Sequence, residues 1–229
     1  MAAYDLEEQE QLAEIKAWWK QYGNRLVNVV TVLALVVLAW QGWNWYQRSQ
    51  MGQASVIFGA LQKAVQDRDT QGIRTASGEL LEEFGGTSYA VLGALSAAKA
   101  MIEAGDAQTA KAQLLWAAEH AKDELRDLAR LRAAAVLLDE KLYDQALAQL
   151  DGAAVAAFEF RFLDMRGDIL AAQGKKAEAV SAYQTALSRL EEQERNGGSG
   201  SAEPEWQGGS NAVFRDLVGQ KIDALGGNQ

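Results

Sequence analysis

Apolar residues follow different patterns along the chain, and each pattern predicts a different element. From Leu26 to Gln47 the sequence carries no charged residue, and Arg25 and Arg48 close this run at its two ends. Further along, apolar positions recur three and four residues apart, which is the periodicity of an amphipathic α-helix. No segment alternates convincingly between apolar and polar residues as a half-buried β-strand does. The pattern therefore predicts an all-α chain.

The uncharged run has the length and the flanking residues of a transmembrane helix, predicted at residues 25–48. About 20 apolar residues span the hydrocarbon layer of a bilayer. Ten Val or Leu residues lie between Leu26 and Leu38, and each favours insertion by about 0.3–0.6 kcal/mol. Aromatic rings, which prefer the headgroup level, stand at both ends of the run. The side chains predicted to anchor the chain in the lipid bilayer are Leu26, Leu33, Leu38, Trp40, Trp43, Trp45 and Tyr46.

A cleaved signal peptide and a buried core helix are the alternatives for this run. The run leads into a Trp-rich stretch instead of a small-residue cleavage site, and it lacks the polar stripe of a core helix. Lys16, Lys20 and Arg25 precede the run, whereas only Arg48 follows it within about 15 residues. Because cytoplasmic flanks carry the excess of basic residues, the N-terminus is predicted in the cytoplasm and the larger C-terminal part in the periplasm of a bacterial cell.

The tail at residues 1–24 is predicted to contain an amphipathic helix. Leu12, Ile15, Trp18 or Trp19, and Tyr22 recur at helical spacing, so one apolar face would lie along the headgroup region. A frayed tail is the alternative interpretation of the same residues.

Three passages after the run superimpose when Ala110, Ala146 and Ala179 are aligned, at spacings of 36 and 33 residues. A large apolar residue stands four positions after each aligned Ala, and a small residue stands seven after it. Another small residue stands twelve positions before it, where two helices of a hairpin must approach closely. These residues are Leu114, Leu150 and Tyr183; Ala117, Ala153 and Ala186; and Ala98, Ala134 and Gly167.

These offsets resemble the tetratricopeptide repeat, which pairs two helices over about 34 residues. They predict an α-solenoid of helical hairpins over residues 52–226, and a generic helical bundle with the same periodicity is the alternative. Ala54–Gln66 and Thr70–Phe84 are predicted to form a further helix pair that matches the repeat weakly. Residues 196–210 are predicted to form a flexible loop, in which Trp206 is either incidental or a docking anchor. The apolar positions from Val213 to Leu225 predict a C-terminal capping helix.

Composition narrows the classes of function. With 22 Lys and Arg against 31 Asp and Glu, the net charge is −9, so nucleic acid is not an expected partner. The absence of cysteine removes disulfides, thiolate nucleophiles and sulfur metal ligands. The single histidine, His120, is interpreted as a residue near the C-terminal end of a repeat helix, where the helix dipole favours it. The chain is therefore predicted to be no enzyme and to use no cofactor or metal.

The order of these features resembles the ancillary SecYEG translocon subunit family of bacteria. An acidic tail, the sequence Lys16-Ala17-Trp18-Trp19 before Gly23, one span ending in Trp and Tyr, and the repeats follow one another. The passages Phe162–Asp168 and Gln220–Leu225 resemble the last repeat and the terminal helix of that family. The resemblance implies an inner-membrane protein with its repeat domain in the periplasm. Its implied partners are SecYEG subunits, a membrane-anchored periplasmic chaperone of the prolyl-isomerase type, and nascent exported polypeptides.

The resulting hypothesis is a protein-binding helper of the SecYEG translocon in the export and folding of envelope proteins. The alternative is a membrane-anchored scaffold for an envelope-assembly or signalling complex that does not contact export substrates. Partner-binding residues in the groove of the repeats are predicted to be Ala94, Ala98, Arg130 and Arg161.

Overall fold

The computed structural model describes residues 2–197 and 205–226, and this part of the chain contains α-helices and no β-strand. The all-α fold class predicted from the sequence is confirmed. The helices of the described residues are α1 (Ala2–Gln66), α2 (Thr70–Phe84), α3 (Ser88–Glu103), α4 (Ala107–His120), α5 (Asp123–Asp139), α6 (Tyr143–Gln149), α7 (Ala156–Ala172), α8 (Lys176–Gly197) and α9 (Glu205–Ala224).

The chain divides into two compact units, Met1–Gly52 and Gln53–Gln229. The described part of the first unit belongs to α1, which has no break at residue 24 or 48. The predicted tail helix and the predicted span are therefore parts of one helix. From Trp18 onward α1 is long and apolar enough to cross a membrane, and its most apolar stretch is not buried by other parts of the chain.

In the second unit, short capped turns divide the chain into hairpins. The carboxylate of Asp69 accepts hydrogen bonds from the backbone N–H groups of Gln71 and Gly72 at the start of α2. The Thr87 hydroxyl accepts one from the Ala90 N–H at the start of α3. Such caps stabilise a helix by about 1 kcal/mol each, because they satisfy N–H groups that have no partner within the helix.

The core of the second unit consists of three apolar clusters that follow one another along the chain. Ala54 to Val136 contribute to the first cluster, Ala134 to Ile169 to the second, and Leu170 to Ile222 to the third. A repeat protein stacks in this way, because each hairpin buries its apolar face mainly against its neighbours. The predicted helix pair before the repeats is confirmed, since α1 ends at Gln66 and α2 spans Thr70–Phe84.

Two sequence predictions differ from the structure. Helix α6 ends at Gln149, so Ala153 does not continue the helical face that starts at Ala146; Gly152 has a φ of 89° and turns the chain away. Helix α8 extends to Gly197 and α9 begins at Glu205. The predicted loop at 196–210 is therefore wrong for its two ends, and residues 198–204 lie outside the described residues. The side chain of Trp206 also lies outside them, so both interpretations of Trp206 stay predictions.

Candidate protein-binding surface

A common turn ends the first helix of every hairpin in the second unit. The predicted small residues Ala98, Ala134 and Gly167 are each followed, seven positions later, by a residue with a positive φ. A residue with a positive φ also stands seven positions after Leu61 in α1 and seven positions after Gly219 in α9. The five turn residues and their φ angles are Arg68 (54°), Gly105 (80°), Lys141 (60°), Gly174 (79°) and Gly226 (80°).

We call this fixed interval of seven residues, from the packing position to the turn, the hairpin register. The small residue at the packing position allows the second helix of a hairpin to approach the first. A Cβ atom added to Gly167 would lie 2.4 Å from Cε1 of Tyr183, so only glycine fits beneath that ring. Ala98 and Ala134 occupy the same position in α3 and α5 and are fully buried. The sequence prediction of close helix packing is confirmed at Gly167, and the burial of Ala98 and Ala134 agrees with it.

The hairpin of α1 and α2 follows the register, but it has a large residue at the packing position and a small residue at the facing position in the second helix. Leu61 stands at the position of the small residue and is fully buried. Ser77, 16 residues later, stands where the other hairpins have Leu114, Leu150 and Tyr183. The Ser77 hydroxyl is also buried and accepts a hydrogen bond from the Gln113 amide nitrogen at 3.3 Å. This exchange explains why the pair matches the repeat weakly in sequence.

Helix α9 repeats the first helix of the preceding hairpin. The residues Phe214, Asp216 and Gly219 have the spacing of Phe162, Asp164 and Gly167 in α7, and in both helices a glycine with a positive φ follows seven residues after the last of the three. The capping helix therefore occupies the register of a first helix in a fifth hairpin. Sequence reasoning missed this relation, because the segment between α8 and α9 breaks the spacing of about 34 residues.

A charged cluster and an aromatic pair hold α9 against α7 and α8. The Lys221 ammonium donates hydrogen bonds to Asp164 Oδ1 at 2.8 Å and to Asp168 Oδ2 at 2.9 Å. The Tyr183 hydroxyl donates to Asp168 Oδ1 at 2.7 Å. The rings of Phe160 and Phe214 meet edge to face with centroids 4.9 Å apart, and Val218 and Ile222 are buried in the third cluster.

Burial and charge act together on the acidity of this cluster. Burial raises the pKa of Asp164 more than the nearby Lys221 ammonium lowers it. Burial alone would lower the pKa of Lys221, but its hydrogen bonds to the two carboxylates outweigh burial and raise it. Burial, followed by the hydrogen bond to Asp168, raises the pKa of Tyr183. Lys221 therefore stays charged and neutralises acidic side chains that α7 would otherwise present unpaired.

A second polar cluster fixes the connection between α6 and α7. Asp127 is fully buried, and its Oδ2 accepts a hydrogen bond from the Val155 N–H at 2.7 Å. Arg130 lies 3.5 Å from Asp127 Oδ1, donates to the Gln149 carbonyl at 2.6 Å, and also bonds the Asp151 carbonyl. The Arg130 guanidinium is therefore held by the backbone of this connection.

Ion pairs also join successive hairpins, each from the second helix of one hairpin to the turn of the next. Arg74 in α2 pairs with Asp106 at 2.7 Å, and Lys111 in α4 pairs with Glu140 at 2.5 Å. Asp106 also caps α4 through the Thr109 N–H. Hydrogen bonds from Thr109, followed by the one from Arg74, lower the pKa of Asp106 to about 2.

The four predicted groove residues differ in exposure and in contacts. Ala94 and Ala98 have 0% and 1% of their surface exposed, so they cannot contact a partner while the hairpin is folded, and this prediction is wrong for both. Arg130 is committed to the connection before α7, which makes it a poor contact residue. Arg161 is exposed, with its guanidinium 5.3 Å from the centroid of the Phe160 ring, and its role stays a prediction.

The side chains predicted to anchor the chain are exposed wherever the structure describes them. Leu33, Leu38 and Trp45 expose 59%, 63% and 72% of their surface. Trp40, Trp43 and Tyr46 are exposed as well, and the side chain of Leu26 lies outside the described residues. Exposed apolar surface of this extent needs an apolar environment, since a soluble protein rarely leaves a large contiguous apolar patch in water.

His120 makes local contacts near the end of α4. Its ring stacks on Trp116 with centroids 4.3 Å apart, and its Nδ1 lies 2.9 Å from the Trp116 carbonyl oxygen. Both contacts agree with the interpretation of His120 as a residue at the C-terminal end of a helix.

The fold and its exposed apolar helix define a class of protein: a helical-repeat protein whose exposed helix faces suit protein binding more than catalysis. A family model described as a tetratricopeptide repeat-like domain matches residues 16–199. The chain is 30% identical to the ancillary SecYEG translocon subunit of Haemophilus influenzae, over 83% of this chain and 95% of that protein. It is 30% identical to the protein of the same name from Neisseria gonorrhoeae, over 98% and 100%. It is 26% identical to that of Escherichia coli K12, over 79% and 87%.

The chain therefore belongs to the ancillary SecYEG translocon subunit family, with its tetratricopeptide repeat-like domain. The resemblance seen in the sequence is confirmed. Among solved structures, the chain is similar to MamA (residues 41 to the end) from Desulfovibrio magneticus RS-1, with 18% identity and a TM-score of 0.47, over 77% of this chain and 96% of that one.

Proposed function

We propose that this protein is a single-pass protein of the bacterial inner membrane whose repeat domain binds proteins beside the SecYEG translocon. Residues 25–48 form the anchor, residues 1–24 a cytoplasmic tail, and residues 52–226 a periplasmic domain. The observation that carries the proposal is the pairing of an exposed, uncharged apolar helix with a stack of hairpins in one chain whose relatives are named as translocon subunits.

Anchoring gives such a domain a physical advantage. A domain tethered beside its partner meets it at a high effective concentration, so that modest affinity is enough for frequent contact. The repeat stack offers helix faces over several hairpins, which suit an extended or helical polypeptide. The partners proposed are SecYEG subunits, a membrane-anchored periplasmic chaperone of the prolyl-isomerase type, and nascent exported polypeptides. Their contact with this domain would assist the export and folding of envelope proteins.

The orientation and the partners are tested in intact cells. A phosphatase that is active only in the periplasm, fused to the C-terminus, is expected to be active, whereas a cytoplasmic fluorescent fusion at the same end should stay dark. After gentle solubilisation, the full chain is expected to copurify with channel subunits. Loss of the channel subunits from such preparations would remove the translocon from the proposal.

The scaffold hypothesis differs in which polypeptides the domain touches. Photocrosslinkers on exposed residues of the repeat domain should form adducts with nascent secretory chains if the helper function is right. Adducts with resident membrane proteins alone would favour the scaffold.

A further inference from the structure

The hairpin register defines an exposed face that runs across the first helices of the second unit. On each helix, the residues six and two positions before the small residue of the register lie about one turn apart, so they share one side of the helix. On α3, α5, α7 and α9 these positions hold Leu92, Ser96, Leu128, Arg132, Arg161, Met165, Val213 and Leu217, and we call this face the register strip. None of these side chains is buried, although Leu128 and Met165 pack partly against the core clusters. In stacked repeats, equivalent positions of successive first helices follow one another along a continuous surface.

The ends of the register strip are apolar. The exposed large apolar side chains in the described residues of the second unit are Val56, Leu92, Ile102, Val213 and Leu217. Three of these five belong to the strip, and Ile102 lies four residues after Ala98 on α3. Val213 and Leu217 expose 59% and 52% of their surface on α9, whereas Val218 and Ile222 of the same helix are buried in the third cluster. Most of the exposed large apolar side chains of this unit therefore lie at the two positions of the strip.

The middle of the register strip is basic. Arg132 and Arg161 are exposed, and neither forms a salt bridge among residues 2–197 and 205–226. Along α7, Glu159 lies two residues before Arg161 and is paired with Arg189, and Asp164 and Asp168 are paired with Lys221. The register strip therefore carries two guanidinium groups without a salt bridge among the described residues, between apolar ends.

We propose that the register strip binds an acidic segment of a partner polypeptide, with apolar side chains on both sides of its carboxylates. Guanidinium groups bind carboxylates through paired, charge-assisted hydrogen bonds, and the apolar ends remove side chains of the segment from water. This inference rests on the proposed function, because it names the face and the chemistry by which the repeat domain holds a protein.

The test uses the full chain in lipid nanodiscs of zwitterionic phosphatidylcholine. The probe is a fluorescent synthetic peptide of alternating Leu and Glu, and its matched control has Lys in place of every Glu. Fluorescence anisotropy is measured for the wild type, for R132E/R161E, and for the control variant K175E/K176E, which makes the same change of charge at exposed lysines at the start of α8. We expect binding of the Glu peptide to weaken by about tenfold or more in R132E/R161E, and to change little in K175E/K176E.

Two further measurements serve as controls for charge dependence and for folding. R132Q/R161Q should show an intermediate loss, and circular dichroism should show the same helical content in all variants. If charge reversal disturbs the fold, the comparison uses the Gln variant alone. R132E/R161E is also expected to bind the Lys peptide more tightly than the wild type does. Equal affinity of the wild type and both arginine variants for the Glu peptide would overturn the proposal, and so would an equal loss in K175E/K176E.

Anionic lipid headgroups are the competing ligand for Arg132 and Arg161. A photoreactive benzoylphenylalanine at Leu217, in nanodiscs that contain phosphatidylglycerol, is expected to form an adduct with the Glu peptide. Adducts with phospholipid alone would overturn the proposal. The copurification experiment distinguishes failure of this inference from failure of the proposed function. If the wild type copurifies with the channel but does not bind the Glu peptide, the register strip is contradicted. If it binds the peptide without copurifying, the proposed function is contradicted.

Discussion

Gly167 lies directly beneath the ring of Tyr183, and a Cβ atom at this position would come within 2.4 Å of the ring. This contact sets the distance between α7 and α8. Gly219 has the same register position in α9, but nothing lies within 4 Å of the Cβ it lacks. One glycine is therefore required by packing and the other is not.

Alanine at these two positions should have opposite effects on stability. We expect Gly167→Ala to destabilise the second unit by about 1–3 kcal/mol, because the added methyl overpacks a filled site. Gly219→Ala should stabilise α9 by about 0.5–1 kcal/mol, since glycine is a poor helix former. Urea denaturation of the full chain in detergent, followed by circular dichroism, measures both effects. A similar loss in both variants would contradict the open space beside Gly219.

Removing the Lys221 charge should loosen the C-terminal helix. In Lys221→Met, Asp164 and Asp168 lose their shared partner, and we expect a loss of about 1–3 kcal/mol because these carboxylates are only partly exposed. Hydrogen exchange of the α9 amides should accelerate more than that of α3. Lys175→Met, at an exposed lysine, is the matched control and should leave exchange in α9 unchanged. Unchanged α9 protection in Lys221→Met would show that apolar packing alone holds the helix.

The same cluster should respond to alkali. Because the pKa of Lys221 is raised above its ordinary value of 10.5 in the folded protein, its stabilising contribution is complete below that pH. The contribution is lost as the pH rises through the raised value. The stability difference between the wild type and Lys221→Met should therefore shrink only above a pH of about 10.5.

The Asp106 carboxylate should contribute its full stabilisation down to about pH 4. Its pKa is lowered from 3.8 to about 2, so its contribution is present above about pH 4 and is lost as the pH falls towards 2. The difference in urea midpoint between the wild type and Asp106→Asn should stay constant down to about pH 4 and then narrow. A difference that narrows already near pH 6 would contradict the lowered pKa.

Truncation of the buried Asp127 should be among the costliest single changes on α5. Asp127→Ala leaves the Val155 N–H and the Arg130 guanidinium without their carboxylate, for an expected loss of about 2–4 kcal/mol. Asp139→Ala, at an exposed acid on the same helix, should change stability by less than about 0.5 kcal/mol. Thermal denaturation compares the two variants, and equal melting temperatures would show that Asp127 does not hold the connection before α7.

A charge within the apolar part of α1 should weaken membrane retention. We expect Leu33→Arg to disfavour insertion by about 2.5–3.5 kcal/mol, so that more of the protein is released by carbonate extraction. Val56→Arg places the same charge on an exposed residue of the second unit and should leave retention unchanged. Full retention of Leu33→Arg, or equal release of both variants, would count against residues 25–48 as the anchor.

The sequence was sufficient to predict the features that depend on local pattern. An uncharged run between Arg25 and Arg48 is visible without any tertiary information, and the aligned Ala110, Ala146 and Ala179 mark hairpins whose helices the structure contains. The short α6 could not be predicted in the same way. Leu150 and Ala153 keep the repeat spacing, but Gly152 takes a left-handed conformation and ends that face.

The groove residues were harder to predict, because side-chain direction on a helix changes by about 100° per residue. Arg130 was chosen for its charge, yet its side chain turns to the connection before α7. Arg132, two residues further on, is the exposed arginine of the same helix. The exposure of Arg132 and the hydrogen bonds of Arg130 to the Gln149 and Asp151 carbonyls distinguish the two residues, and the repeat spacing contains neither.

The constant interval of seven residues between the packing position and the left-handed turn has a consequence for protein engineering. Each hairpin sets the place of its own turn, so we expect a hairpin exchanged between relatives to keep that turn wherever its contacts with the neighbouring hairpins are kept. The interval from Gly167 to Gly219 is longer than those between the earlier packing positions, yet Gly226 still follows Gly219 by seven residues.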